Sequence, residues 1–262
     1  GGEDLDPPKF GKVAISVYLG QGQESLSNTL SNTYIEYLRE RSPLAIEPIF
    51  VATKFMYGCA VVDLYYNPKL TRKSSGDIET LARNAIADYN TQYLDDFNTQ
   101  LRVSALSAAI DNIDISVTSN DISVMPYIEY SPATNVSLNP TFKFVAKLIK
   151  PYPFDEERGF ETYKPAIKTG VFSYNGSNVY LQDDGVGKIQ IITSDVANPK
   201  VVKPSIGTVD YDTGEVNLVG FITDGYTGSG IKFMASTVKN DITAPNGRIF
   251  TVKDTDVTIN LI

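Results

Sequence analysis

A change of texture near Tyr130 constrains this chain more than any single motif. Before it, strand-like alternation is interleaved with helical periodicity. After it, short alternating runs are separated by Gly, Asn and Asp turns, and no helical stripe recurs. A chain of 262 residues is slightly longer than one hydrophobic core usually serves. The two textures therefore predict two domains, an α+β domain over residues 1–130 and a β-rich domain over residues 131–262.

In the first part, Val13, Ile15 and Val17 alternate along a strand over Lys12–Tyr18, which Gly20 and Gly22 break. Leu26, Leu30, Tyr34, Tyr37 and Leu38 recur at spacings of three and four, so a helix is expected over about Glu24–Arg41, its apolar face inward and Pro43 closing it. Strands follow around Ile46–Thr53 and Gly58–Tyr66, ended by Asn67-Pro68. Ser74 and Asp77 stand at capping-box spacing before a helix over Asp77–Phe97, whose stripe is Ile78, Leu81, Ala85, Ile86, Tyr89, Tyr93, Leu94 and Phe97. A shorter helix covers Ser104–Asn112, and Ile113–Tyr130 alternates again with a bend near Ser119-Asn120-Asp121. The order strand, helix, strand, strand, helix, strand is that of a ferredoxin-like βαββαβ sandwich with one short extra helix.

The second part opens with a Pro-punctuated bridge over Ser131–Pro140 and a long strand over Thr141–Lys150. Pro151, Pro153 and Asp155-Glu156-Glu157 read as a solvated connector. Asn175-Gly176 joins two short strands as a hairpin turn, Asp183–Gly187 turns into Ile189–Ile192, and Asp212-Thr213-Gly214 joins Val209–Tyr211 to Glu215–Leu218. Strands at Ile231–Ala235, Ile249–Val252 and Val257–Leu261 complete a sandwich or barrel-like module.

Composition removes several functions. The chain has no histidine, which excludes Ser-His-Asp, Cys-His and His-ligated zinc chemistry within it. Its one cysteine, Cys59, can form no intrachain disulfide and reads as a small buried hydrophobe in a strand. The net charge of −8, with no Lys/Arg cluster, disfavours nucleic acid. No apolar run reaches the ~18 residues that would span a bilayer. Oxygen-ligated Ca²⁺ remains open for the turns carrying Asp183, Asp184, Asp210, Asp212 and Glu215, but neither turn has the full EF-hand spacing, and Asp is what turns use. A glycosidase pair would draw on Asp155, Glu156 and Glu157, yet neighbours in a charge run mostly point apart into water. No catalytic, cofactor-binding or metal residue is assigned, and neither an enzyme nor a small-molecule substrate is expected. Tyr89 and Tyr93 continue a helix stripe and read as core, whereas Tyr65 and Tyr66 point to opposite faces, leaving one of them to meet a partner or a covering loop.

The chain opens Gly1-Gly2-Glu3-Asp4-Leu5-Asp6-Pro7-Pro8-Lys9-Phe10-Gly11-Lys12 before its first strand, without a start methionine or signal peptide, as the middle of a longer protein would. This opening resembles the segment that leads into the C-terminal half of baseplate wedge subunits of T4-like contractile-tailed phages. Tyr34–Leu38 through Ser42-Pro43-Leu44, Ile78–Phe97 and Val103–Ile110 resemble the baseplate J-like family. Asp183–Gly187 and Gly207–Gly214 are similar to turns of the C-terminal part of those wedge subunits. The resemblance implies a structural subunit of the virion tail baseplate, assembled in the host cytoplasm. It further implies a homodimer and contacts with other wedge subunits that join neighbouring wedges into a ring. A carbohydrate- or receptor-binding tail module, with the Tyr and Phe of the second part as a platform, is the alternative.

Overall fold

The computed structural model describes residues 10–20, 27–42, 46–155, 163–195, 198–244 and 247–262. The first elements are β1 (Lys12–Ile15), α1 (Asn28–Arg39), β2 (Glu47–Phe50), β3 (Phe55–Tyr66), α2 (Ser75–Tyr89), a π-helical turn (Asn90–Leu94), β4 (Gln100–Leu101), α3 (Val103–Asp111) and β5 (Val117–Tyr130). The remainder is all strand: β6 (Thr141–Lys143), β7 (Ile167–Thr169), β8 (Phe172–Tyr174), β9 (Ser177–Asp183), β10 (Lys188–Thr193), β11 (Val201–Asp210), β12 (Glu215–Leu218), β13 (Gly225–Tyr226), β14 (Ile231–Ala235), β15 (Ile242–Thr243) and β16 (Ile249–Leu261). The fold is mixed α+β. Among the described residues, twelve of these strands form one sheet, whose main path is β16-β3-β5-β14-β7-β9-β10-β11-β12-β6.

The first part keeps the expected element order but not the ferredoxin-like pairing. β1 and β2 pair with each other, in parallel, as a separate two-stranded sheet. β3 pairs antiparallel with β5 and, on its other side, in parallel with β16. Length explains the choice. β3 is 12 residues long and buries Met56, Ala60, Val62 and Leu64 on one face, so it needs long neighbours on both edges. β1 and β2, at four residues each, cannot cover it, whereas β16 at 13 residues can. The last strand thus joins the core of the first part, beneath α2 and α3, with Phe250, Val252 and Val257 packed among Ile78, Ile86 and Leu106. A division of the chain at residue 130 places β16 and β3 on opposite sides of that boundary.

Helix α2 starts where its capping box predicts. The Asp77 N–H donates to Ser74 Oγ at 3.2 Å, and the Ser74 N–H donates to Asp77 Oδ2 at 2.9 Å, a reciprocal arrangement of the kind worth about 1 kcal/mol. The helix does not run to Phe97. After Tyr89 it widens into the π-turn, which adds a residue per turn and rotates the stripe. Leu94, five residues beyond Tyr89, is therefore buried, while Tyr93 is turned out to 54% exposure. Other boundaries differ too. β5 is one continuous strand, and beside the expected bend its pairing with β3 shifts register, Tyr65 facing Ser119 and Tyr66 facing Val117. The strand expected over Thr141–Lys150 stops at Lys143, because Val145 takes φ +51° and turns the chain so that Leu148 bridges to Thr237.

Beyond β14 the sheet folds over onto itself. Phe142, on β6 at the far end of the path, stacks on Phe233 of β14 with ring centroids 4.1 Å apart. Tyr130, Phe172 and Phe221 surround this pair. The aromatic nucleus, with Leu181, Ile189, Ile191 and Val216, is the second core. Replacing Phe233→Ala empties its centre and should cost about 3–5 kcal/mol in a urea melt. Tyr152→Ala, at a side chain 85% exposed, should leave the midpoint nearly unchanged. Equal effects would show that the stack does not hold the folded-over sheet.

Candidate functional site

The acidic turns of the second part are occupied by the protein itself. Asp183, at the end of β9, is fully buried. Its Oδ1 accepts from the Ile167 N–H at 2.8 Å, and its Oδ2 from the Tyr211 hydroxyl at 2.7 Å and the Gly185 N–H at 3.3 Å. Burial nevertheless dominates and raises the Asp183 carboxyl above the usual range. The charge of Asp183 adds to burial in raising the Tyr163 hydroxyl, which lies at the same spot. Asp184 Oδ1 accepts from the Val186 and Lys188 N–H groups, both at 2.9 Å, closing the turn. Asp210 Oδ1 does the same for Asp212 and Thr213, at 2.9 and 3.3 Å, and these bonds lower its carboxyl pKa. Asp212 pairs with Lys147 at 2.7 Å and Glu215 with Lys143 at 3.1 Å. Among the described residues, no group of three or more His, Cys, Asp or Glu is placed to hold a metal ion. Of the acidic run, Asp155 is exposed, and Glu156 and Glu157 lie outside the described residues.

Gly185 explains why this turn needs its glycine. Its φ is +76°, and a Cβ there would lie 2.3 Å from the Tyr152 carbonyl oxygen. The turn is the seat on which the connector segment rests, with the Phe154 N–H donating to the Asp184 carbonyl at 2.8 Å.

The other singled-out residues fall in different places. Cys59 is half-buried on β3, and burial, then the Asp256 charge, raise its thiol pKa, the opposite of what a nucleophile needs. Tyr66 packs against the first core and Tyr65 is exposed, as strand alternation requires. Tyr89 is buried, its hydroxyl donating to the Arg102 carbonyl and accepting from the Arg102 N–H, both at 3.3 Å. The aromatics Phe142, Phe144, Phe172, Phe221 and Phe233 are all core residues, so they form no platform on the second part's surface.

Helix α1 departs most from its sequence pattern. Leu30, Tyr34 and Tyr37 face outward, while Ile35 and Leu38 are half-buried; Leu26 lies outside the described residues. The cause is again the narrow β1–β2 pair, which offers α1 no deep core to enter. The outward face carries two tyrosines, with the Arg41 guanidinium 3.7 Å above the Tyr37 ring. Such side chains combine apolar area with polar tips and suit protein contacts.

One polar cluster has no local signature in the sequence. Asp256 is buried where β16 bulges, and it accepts from the Tyr127 hydroxyl on β5 and pairs with Lys232 on β14. The Tyr57 and Tyr127 rings stack at 5.4 Å, and Lys253 sits 3.7 Å above Tyr57. The groups satisfy one another and tie three strands together. No helix among the described residues is long and apolar enough to cross a membrane.

Two substitutions test the Asp183 turn. Gly185→Ala meets both the left-handed backbone cost of about 1–2 kcal/mol and the Tyr152 carbonyl, so it should lower the Tm well beyond Gly176→Ala, where φ is +73° but nothing lies within 4 Å. Equal losses would remove the seat. Because the folded Asp183 pKa is raised, its stabilising contribution is full below the unfolded value of about 3.9 and is lost as pH rises through the folded value. Asp183→Asn cannot ionise, so the stability of the wild type relative to this variant should fall as pH rises above about 4. Parallel pH profiles would contradict the raised value.

Residues 54–125 match the family model described as baseplate structural protein gp6, C-terminal domain III. The matched segment covers all of β3, α2, the π-turn, β4 and α3, and β5 as far as Met125. No curated protein matches the chain. The segment that forms the helix-covered first core is therefore similar to a baseplate domain, and this similarity supports a structural role in a phage tail baseplate.

Proposed function

We propose that the chain is the C-terminal half of a baseplate wedge subunit of a contractile-tailed phage, of the baseplate J-like kind. It acts as a structural protein, forming a homodimer and contacts with other wedge subunits that join neighbouring wedges into a ring. The observation that carries this reading is the gp6 domain III match lying on one continuous structural unit, the β3–β5 pair with α2 and α3 packed across it. The chemistry of the chain supports it. There is no histidine, and the buried carboxylates Asp183 and Asp256 are engaged by donors of the fold itself. What the surface offers is contact area, as on α1, rather than a reaction centre. Catalysis, nucleic acid, membrane and small-molecule substrates have no part in this reading, and assembly takes place in the host cytoplasm.

A carbohydrate- or receptor-binding tail module is the second reading. A groove of about 530 Å³ favours it, lined by Tyr18, Phe55 and Tyr57 with Asn90, Thr91 and Lys253 at its polar side. Phe55 and Tyr57 present near-parallel rings at 6.2 Å, a surface on which a sugar could stack.

Fab fragments raised against the purified chain, imaged on intact phage particles, should label the baseplate. Label on the fibre tips, together with glycan-array binding that Tyr57→Ala abolishes, would replace the structural reading with the second one.

A further inference from the structure

Strand β16 ends the sheet path, so one of its backbone edges faces away from β3. In a parallel pair, alternate residues turn their N–H and C=O toward the partner. The Ile262 N–H donates to the Leu64 carbonyl at 2.9 Å, and its carbonyl accepts from the Tyr66 N–H at 3.2 Å. In the same phase Thr258 and Asn260 face β3, while Val257, Ile259 and Leu261 direct their backbone groups outward.

The earlier part of this edge is closed by side chains. The Asn90 amide, placed by the π-turn, accepts from the Val252 N–H at 3.2 Å and donates to the Val252 carbonyl at 2.7 Å, as a neighbouring strand would. The Arg83 guanidinium donates to the carbonyls of Asp254 and Val257, both at 3.1 Å. Among the described residues, no side chain caps Ile259 or Leu261. Edge strands are ordinarily blunted by charge, proline, bulges or brevity. Residues 257–262 contain no ionisable side chain and no proline.

We propose that this open end of β16 is a contact between two copies of the chain. The β16 strands pair antiparallel about a two-fold axis through Ile259. The inference rests on the homodimer reading above and names its surface. The outward phase is self-complementary about Ile259. In that register Ile259 faces its own counterpart and exchanges both backbone hydrogen bonds, Thr258 faces Asn260, and Val257 faces Leu261, its carbonyl sharing its two lone pairs between the partner's N–H and the Arg83 guanidinium. Charge selects a second copy as well. Each chain carries a net charge of −8, so two copies repel over much of their surfaces, and an uncharged strand edge lets them meet without creating a like-charge pair.

The register gives a charge-swap test at exposed positions, read by light scattering coupled to size exclusion and by amide exchange. The wild type should have a mass near twice 28.7 kDa, with slow exchange at Ile259 and Leu261. Thr258→Lys with Asn260→Lys sets lysines opposite each other and should give a monomer with fast exchange at both amides and an unchanged circular dichroism spectrum, its Tm lowered by the lost association and the lost Asn260–Asp63 hydrogen bond. Thr258→Glu with Asn260→Lys sets Glu opposite Lys and should restore the dimer. A dimer that persists unchanged in the double-lysine variant overturns the β16 contact and leaves the homodimer reading standing. A wild-type monomer at all concentrations overturns both, and protection of Ile259 that appears only with another baseplate protein present would assign the edge to that protein's strand.

Discussion

The whole first core depends on β3 having a long partner on each side. Its inward residues Met56, Ala60, Val62 and Leu64 are almost wholly buried, and full burial of a large aliphatic side chain is worth roughly 1.5–3 kcal/mol. That burial exists only while β5 and β16 flank the strand and α2 and α3 lie across it. Gly58 shows how closely the layers meet. A Cβ there would lie 2.7 Å from the Phe250 ring, so the aromatic side chain of β16 occupies the space the glycine leaves. The Tyr127–Asp256–Lys232 tie then fixes the bulge across which β16 shifts its register and still pairs with β3 on both sides.

Features that depend on a few consecutive residues were legible in the sequence. The capping box of Ser74 and Asp77, the Asn175-Gly176 turn with both residues at positive φ, and the Val209–Leu218 hairpin are local chemistry and appear where the pattern places them. The mixed α+β class was legible for the same reason. The pairing of β16 with β3 was not, because nothing in Val257–Leu261 names a partner almost 200 residues earlier, and alternation specifies a face but not a neighbour. The shift of Tyr93 out of the stripe was also hidden. A π-turn leaves no periodic signature until the spacing from Tyr89 to Leu94 is seen in three dimensions. α1 misled in the opposite sense, since its apolar spacing is genuine but the two-stranded layer beneath it is too small to use it.

The carboxylates divide in a similar way. In sequence, Asp183, Asp184, Asp210 and Asp212 look like one acidic resource. In the fold they do separate mechanical work: Asp183 is a buried anchor for β7, the Gly185 turn and Tyr211, Asp184 and Asp210 close their own turns, and Asp212 holds Lys147 at the surface. The Asp-Asp-Gly-x-Gly run is accounted for by packing and backbone geometry. This is the pattern expected of a protein whose task is to hold a shape against neighbours, in keeping with the similarity to a baseplate domain.

The return of β16 to β3 also sets an order of events in folding. Contacts between residues 55–64 and 249–261 must close a very long loop of chain, and such non-local pairing is slow to nucleate and comes late. The helices α2 and α3 can form early, but their inner faces stay wet until residues 249–261 have been synthesised and inserted. In the second core the consecutive pairs from β8 to β12 join near neighbours and are positioned to form first, ahead of the longer-range pairing of β14 with β5. The docking edge and the core beneath it therefore mature in the same final step, so an incompletely made chain has no finished edge with which to enter an assembly.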